Sequence, residues 1–359
     1  ALEIEINSVS ESGIGMTIPR YRVDVTRPAD VIEEILRIYG YNKILDVPLK
    51  YEASPAYQWK SLHKLESTIA NKLNGQGFIE TINNSLTNPN ASGDFYNPVK
   101  ILNPLGKEFS IMRQSLKINA LQVIAFNLNR QNKDLKLYEF GNIYGVKDNN
   151  YHESKRLTLS LVGLSLNSHW DLKNPPNLFF YGKGVLIDLF QSLGYDNLNF
   201  DETNHPDFDI AFELIHRKNS YGHFGLISKK LKETYDIDED IYIADLDWNK
   251  ITEKAFLSSL KYEDVPRFPV MKRDFALLID KEVSFESLEN ISYKTERKIL
   301  KSVQLFDVFE DEKLPKGKKS YGITFTFQDQ NKTLTDKHID KIMEKLKGNF
   351  IKEFDAELR

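Results

Sequence analysis

Cysteine is absent from all 359 residues. That excludes disulfides, thiolate zinc sites and cysteine nucleophiles, and it fits a reducing compartment, so a cytoplasmic protein is expected. No apolar run approaches the ~18 residues of a membrane span, and nothing near the N-terminus reads as a secretory signal, so no membrane partner is expected. A surplus of one charge is also missing. The formal net charge is −4, and residues 263–359 carry as many acidic as basic side chains. This is not the basic balance of an obvious nucleic-acid binder, and any RNA contact must come from local clusters. There is no Walker loop to cradle phosphates. His63, His152, His169, His205, His216, His223 and His338 are scattered, none pairs with another at metal-ligand spacing, and no nucleophile elbow accompanies them.

What is present divides the chain into three parts. Residues 1–48 form a small unit ending at Asp46-Val47-Pro48. It opens on a strand in which Leu2, Ile4 and Ile6 alternate with Glu3 and Glu5. The chain starts at Ala1 rather than Met, and we expect it to be a piece of a longer subunit. Residues 49–262 open on a helix with Leu62, Leu65, Ile69 and Leu73 on one face, closed by Gly75 and Gly77. Strand-like alternations at 157–161, 210–214 and 241–246, with a helix around 185–190, suggest an antiparallel α+β domain. Pro266 and Pro269 mark an extended linker. Residues 263–359 then read strand, helix, strand, strand, helix, strand, the pattern of a ferredoxin-like βαββαβ domain. Phe275, Leu277 and Ile279 mark its first strand, Tyr321, Ile323, Phe325 and Phe327 its third, and Ile339, Ile342, Met343 and Leu346 the face of its last helix.

The segment Pro19-Arg20-Tyr21-Arg22-Val23-Asp24, followed by Asp30-Val31-Ile32-Glu33-Glu34-Ile35-Leu36-Arg37-Ile38-Tyr39-Gly40-Tyr41, is the densest in chemistry. Asp30 stands where an N-cap belongs, with Glu33 at capping-box spacing; Ile32, Ile35, Leu36 and Tyr39 recur at helical spacing and Gly40 ends the run. Asp24, Asp30, Glu33 and Glu34 also gather hard oxygen donors at one helix end, as a Mg2+ site requires. Spacing alone leaves capping and coordination both open.

The same segment resembles the one that leads into the synthetase-like core of bacterial phenylalanyl-tRNA synthetase beta subunits. The resemblance implies a magnesium ion held by Asp24, Asp30, Glu33 and Glu34 and shared with the alpha subunit. Asn103-Pro104 with Met112-Arg113-Gln114-Ser115-Leu116, then Leu137-Tyr138-Glu139-Phe140-Gly141-Asn142-Ile143-Tyr144, resemble the family's beta-subunit core. That core is a class II synthetase-like fold without its own active site. In agreement, the chain has no glycine-rich run ending in Arg to meet ATP phosphates, and Arg113 is expected in a structural ion pair.

Arg273-Asp274-Phe275, Leu305-Phe306-Asp307-Val308-Phe309, Lys318-Lys319-Ser320-Tyr321, Thr333-Leu334-Thr335-Asp336 and the closing Ala356-Glu357-Leu358-Arg359 resemble the family's ferredoxin-fold anticodon-binding domain. Lysines and aromatics on a sheet can neutralise phosphates and stack unpaired bases. Arg267, Arg273, Lys316, Lys318, Lys319 and Tyr321 are the candidates, although Tyr321 shares parity with the buried Ile323 and Phe325.

The resemblance implies a beta-subunit part of phenylalanine–tRNA ligase in an α2β2 assembly. It would supply subunit interface, shared Mg2+ and anticodon binding to tRNA(Phe), while ATP is used at the alpha-subunit site; alone it is expected to be inactive. The alternatives are a synthetase-derived RNA-binding module without a catalytic partner, and a self-contained Mg2+-dependent phosphoryl-transfer enzyme.

Overall fold

A computed structural model describes residues 2–44, 61–89, 95–165, 177–255, 264–311 and 314–358. Two compact units divide the chain at residues 258 and 259. The expected boundary at Asp46–Pro48, and the stretch just before Asp264, lie outside the described residues.

The first unit opens with a hairpin, β1 (Glu5–Ser10) and β2 (Gly13–Thr17), followed by α1 (Pro28–Tyr39). The strand starts later than the alternation of Leu2 and Ile4 suggests, and every β1 residue is exposed. Among the described residues the hairpin strands pair only with each other, and nothing described covers their alternation. Pro28 at the first helical position fixes φ and needs no donor, so α1 begins before Asp30. Asp30 is therefore the third helical residue, not the N-cap. Its carboxylate still caps by accepting the backbone N–H groups of Thr26 (2.9 Å) and Arg27 (2.8 Å).

The rest of this unit runs α2 (Leu62–Gly75), β3 (Ile79–Glu80), β4 (Leu86–Thr87), β5 (Ile111–Met112), α3 (Leu116–Leu128), β6 (Leu135–Lys147), β7 (Asn150–Val162), α4 (Leu178–Ser192), β8 (Asn199–Thr203), β9 (Phe208–His216), β10 (Asn219–Ile227), α5 (Lys229–Thr234), β11 (Ile241–Asp247) and α6 (Trp248–Ala255). Seven strands form one sheet in the order β3-β6-β7-β11-β10-β9-β8, antiparallel except for the β3–β6 pair. Alternate residues of a strand face opposite sides, and the two faces differ here. On one, Leu157, Leu159, Leu161, Ala244 and Leu246 join Ile69 and Leu73 of α2, Leu186 and Phe190 of α4, and Trp248 and Ile251 of α6. On the other, Leu135, Leu137, Val162, Ile241 and Ile243 pack with Ala120, Leu121 and Ile124 of α3.

Further along the strands the α3 side turns polar. Register places Glu139 opposite Thr158, Thr158 opposite Asp245, Asp245 opposite His223, His223 opposite Glu213 and Glu213 opposite Asp201. One polar row thus crosses six strands.

The second unit is β12 (Met271–Asp280), α7 (Phe285–Thr295), β13 (Leu300–Phe309), β14 (Lys318–Phe327), α8 (Asp336–Phe354) and β15 (Glu357–Leu358). Its antiparallel sheet has the order β13-β14-β12-β15, the ferredoxin-like arrangement. Leu277, Ile279, Tyr321, Ile323, Phe325 and Phe327 face Leu288 of α7 and Ile339, Leu346 and Phe350 of α8. Both helices serve that core, and the opposite side of the sheet mixes polar residues such as Lys272, Asp274, Gln304 and Thr324 with Leu278 and Phe309.

Candidate nucleic-acid interface and acidic segment

In the ferredoxin-like unit, the six sequence candidates separate by fate. Tyr321 is 6% exposed and belongs to the core, as its parity with Ile323 indicates. Lys319 is 8% exposed; its Nζ donates to the Lys281 carbonyl (2.8 Å) and lies 4.6 Å from the Tyr321 ring centre. Neither is free to meet RNA. Arg273 pairs with Asp336 of α8 and approaches Asp340 at 3.9 Å, and Lys318 lies 3.6 Å from Glu357. Arg267 and Lys316 are exposed, without a partner among the described residues.

The open side of this sheet carries an aromatic that the sequence reading passed over. Phe306 is 62% exposed. A register shift between Leu305 and Asp307 sets it against Gly322 on β14. A Cβ at Gly322 would come within 2.7 Å of the Phe306 Cζ, so the missing side chain is what lets the ring lie against the strand. Around it the pairs Lys272–Thr326, Asp274–Thr324 and Gln304–Thr324 continue the face, with the Thr324 hydroxyl donating to Asp274 (2.6 Å). An exposed ring on a polar sheet face offers a π surface to an unpaired base. The signal in sequence was the Leu305-Phe306-Asp307 run, but the bulge breaks the alternation that would have assigned its faces.

In the acidic segment, the carboxylates are held by arginines rather than by one another. Asp24 accepts from Arg22 (3.1 and 2.9 Å). Glu34 bridges Arg22 (3.0 Å) and Arg37 (2.6 Å). Asp30 accepts from Arg27 (3.0 Å) besides its two backbone donors. The hydrogen bonds from Arg22, Arg27 and Arg37 hold Asp24, Asp30 and Glu34 respectively below the usual carboxylate range. Glu33 is exposed and unpartnered among the described residues. No group of three or more His, Asp and Glu among the described residues is arranged to hold a metal ion. The donor chemistry suits Mg2+, but the arrangement as it stands does not fit it.

In the seven-stranded unit, Arg113 is an internal strut. It and Glu139 have side chains 6% and 5% exposed and meet at 2.7 Å; Arg113 Nε also donates to the Asn142 carbonyl (2.9 Å). Its donors are spent on protein, as expected of a structural residue.

Family models match three successive stretches of the chain. The tRNA synthetase B5 domain covers residues 1–41, the phenylalanyl tRNA synthetase beta chain CLM domain residues 50–248, and the ferredoxin-fold anticodon binding domain residues 266–359. The chain belongs to the phenylalanyl-tRNA synthetase beta-chain family. It is 38% identical to the phenylalanine–tRNA ligase beta subunits of Bacteroides thetaiotaomicron, over 380 residues, and of Bacteroides fragilis, over 379. Each alignment covers 100% of this chain and 46% of the relative. The Clostridium acetobutylicum beta subunit is 31% identical over 95% of this chain and 43% of its own length. The chain therefore spans about half the length of these beta-chain relatives. Among its described residues no helix is long and apolar enough to cross a membrane.

Proposed function

We propose that the chain works as the C-terminal part of a phenylalanine–tRNA ligase beta subunit in the cytoplasm, holding the anticodon of tRNA(Phe) on the open face of its ferredoxin-like sheet. The observation that carries this reading is Phe306, an exposed ring laid over Gly322 on a sheet face that the helices leave uncovered, within a stretch matched by an anticodon-binding family model. Stacking on such a ring is sequence-tolerant, and neighbouring polar side chains would add selectivity. Of the six sequence candidates, Arg267 and Lys316 are the ones left free among the described residues for phosphate contacts, whereas Lys319 and Tyr321 act as structural supports.

The seven-stranded unit serves as scaffold and subunit interface in this reading. Leu102 and Leu105 are both 100% exposed and Ile82 is 92% exposed, large apolar side chains that a protein partner would cover. ATP-dependent joining of phenylalanine to tRNA(Phe) would then belong to an alpha subunit. The buried commitment of Arg113 to Glu139 and Asn142 supports a beta core that performs no phosphoryl chemistry. A shared Mg2+ on Asp24, Asp30, Glu33 and Glu34 would require Arg22 and Arg37 to release Asp24 and Glu34 on assembly.

Co-elution of the chain with its alpha subunit, in Mg2+ and in EDTA, tests assembly. A complex that weakens in EDTA supports the shared ion, and a complex indifferent to EDTA removes it. ATP–pyrophosphate exchange by the chain alone would refute the division of labour.

A further inference from the structure

Strand β13 is bulged twice. One register shift, between Leu305 and Asp307, sets Phe306 over Gly322. The other lies between Leu300 and Ser302. Leu300 and Val303 are three residues apart, yet both belong to the core, whereas strict alternation would send them to opposite faces. The extra residue, Lys301, therefore stands with Ser302 on the open side of the sheet, beside Thr326 of β14, and it is exposed. Lys272 of β12 pairs in register with the same Thr326 from the other flank and is also exposed.

Neither Lys272 nor Lys301 has an ion pair or a side-chain hydrogen bond among the described residues. Lys318, the other lysine of this face, lies 3.6 Å from Glu357. Carboxylates occupy the middle of the face, with Asp274 opposite Thr324 and Asp307 opposite Gly322. An anion is repelled there and drawn to the Thr326 end. Thr326 and Gly322 are four residues apart on β14, so the two lysines stand about 14 Å from the Phe306 ring's place on the strand.

We propose that Lys272 and Lys301 form a phosphate clamp for single-stranded RNA, each taking one of two successive phosphates. The proposal rests on the reading that this face holds the anticodon, and it makes the face a track with two distinct ends. One base stacks on Phe306, and the backbone of the neighbouring nucleotides crosses Thr326 between the lysines. A four-stranded sheet accommodates two or three bases in this way. The lysine backbones, two strand spacings or about 10 Å apart, let both long side chains close on one strand. The Thr326 hydroxyl between them can donate to a phosphate oxygen.

The test is fluorescence anisotropy of the full chain with a labelled tRNA(Phe) anticodon stem-loop over a salt series. Removing both lysines, Lys272→Gln with Lys301→Gln, is expected to make the dependence of log K on log salt shallower by about 1.4, two single-strand contacts at ~0.7 each. Phe306→Ala should weaken binding and leave that slope unchanged. Lys341→Gln with Lys345→Gln, exposed lysines of α8 on the helix-covered side, should leave the slope unchanged as well. An unchanged slope without Lys272 and Lys301 would overturn the clamp; if Phe306→Ala still weakens binding, the anticodon reading survives it. An equal loss of slope without Lys341 and Lys345 would also overturn the clamp, since attraction would then be non-specific. A shallower slope without Lys272 and Lys301, joined to unchanged affinity in Phe306→Ala, would support the clamp and refute the stacking.

Discussion

Replacing Glu139 by Gln is the sharpest probe of what Arg113 does. Both side chains are all but sealed from water, 6% and 5% exposed, and Glu139 also accepts from the Asn83 side-chain amide at 2.7 Å. Glutamine keeps the shape but removes the carboxylate paired with the buried Arg113 guanidinium. One of its orientations also turns an N–H toward Arg113, a donor facing a donor. Breaking one side of a buried pair leaves the other charge uncompensated, at a cost of about 3–5 kcal/mol. Lys229–Glu233 supplies the contrast in the same unit, since the side chains there are 82% and 66% exposed. Glu233→Gln should cost far less than Glu139→Gln. Urea unfolding followed by Trp248 fluorescence, with Trp59 and Trp170 replaced by Phe, reports on the unit that contains the pair. The double change Arg113→Met with Glu139→Leu should recover at least half of the single-mutant loss, because apolar replacement removes both desolvated charges. A loss under about 1 kcal/mol for Glu139→Gln, or a double mutant weaker than the single, would refute the strut reading.

Three further outcomes follow from the geometry. Gly322→Ala should leave stability nearly unchanged yet weaken tRNA binding, because its Cβ would come within 2.7 Å of a ring atom that can swing away; equal tRNA affinity would detach Phe306 from recognition. Stability should fall as pH drops below the ordinary histidine value of about 6.5. His205 and His223, with ring centres 4.8 Å apart, are both held below the usual histidine range by burial, so the unfolded chain takes up protons first. Around them Lys117 and Arg156 oppose protonation, while Asp207, Asp245 and Glu213 favour it. His223→Gln should flatten that slope, and an unchanged pH profile would contradict it. Asp30→Ala should lower α1 helicity, measured by circular dichroism, by leaving the Thr26 and Arg27 amides without their acceptor.

The ferredoxin-like unit was readable because its strands alternate cleanly. Tyr321, Ile323, Phe325 and Phe327 on one side of β14 imply a sheet buried on that face. The same parity already argued against Tyr321 as an RNA contact, and the structure places it in the core. Lys319 was harder, since a lysine on the buried parity is seen as bound only once the Lys281 carbonyl and Tyr321 ring are in view. Phe306 escaped because a single bulge reverses facing without leaving a mark in the composition. Pro28 shifted the start of α1 and with it the role of Asp30, a local effect that outweighed the capping-box spacing with Glu33. The row from Glu139 to Asp201 could not be read at all. It depends on the register of six strands, and Glu139 and Glu213, its first and fifth members, are far apart in sequence.

The central claim is that the open sheet face of residues 264–358 holds the anticodon. Fluorescence anisotropy with a labelled tRNA(Phe) anticodon stem-loop, comparing the full chain with Phe306→Ala, tests it directly. Losing one base–aromatic stack, worth about 1–3 kcal/mol, predicts a roughly 5- to 150-fold weaker Kd with unfolding unaffected. An unchanged Kd, or an equal loss for a fully base-paired stem that offers no unpaired base, would contradict the account.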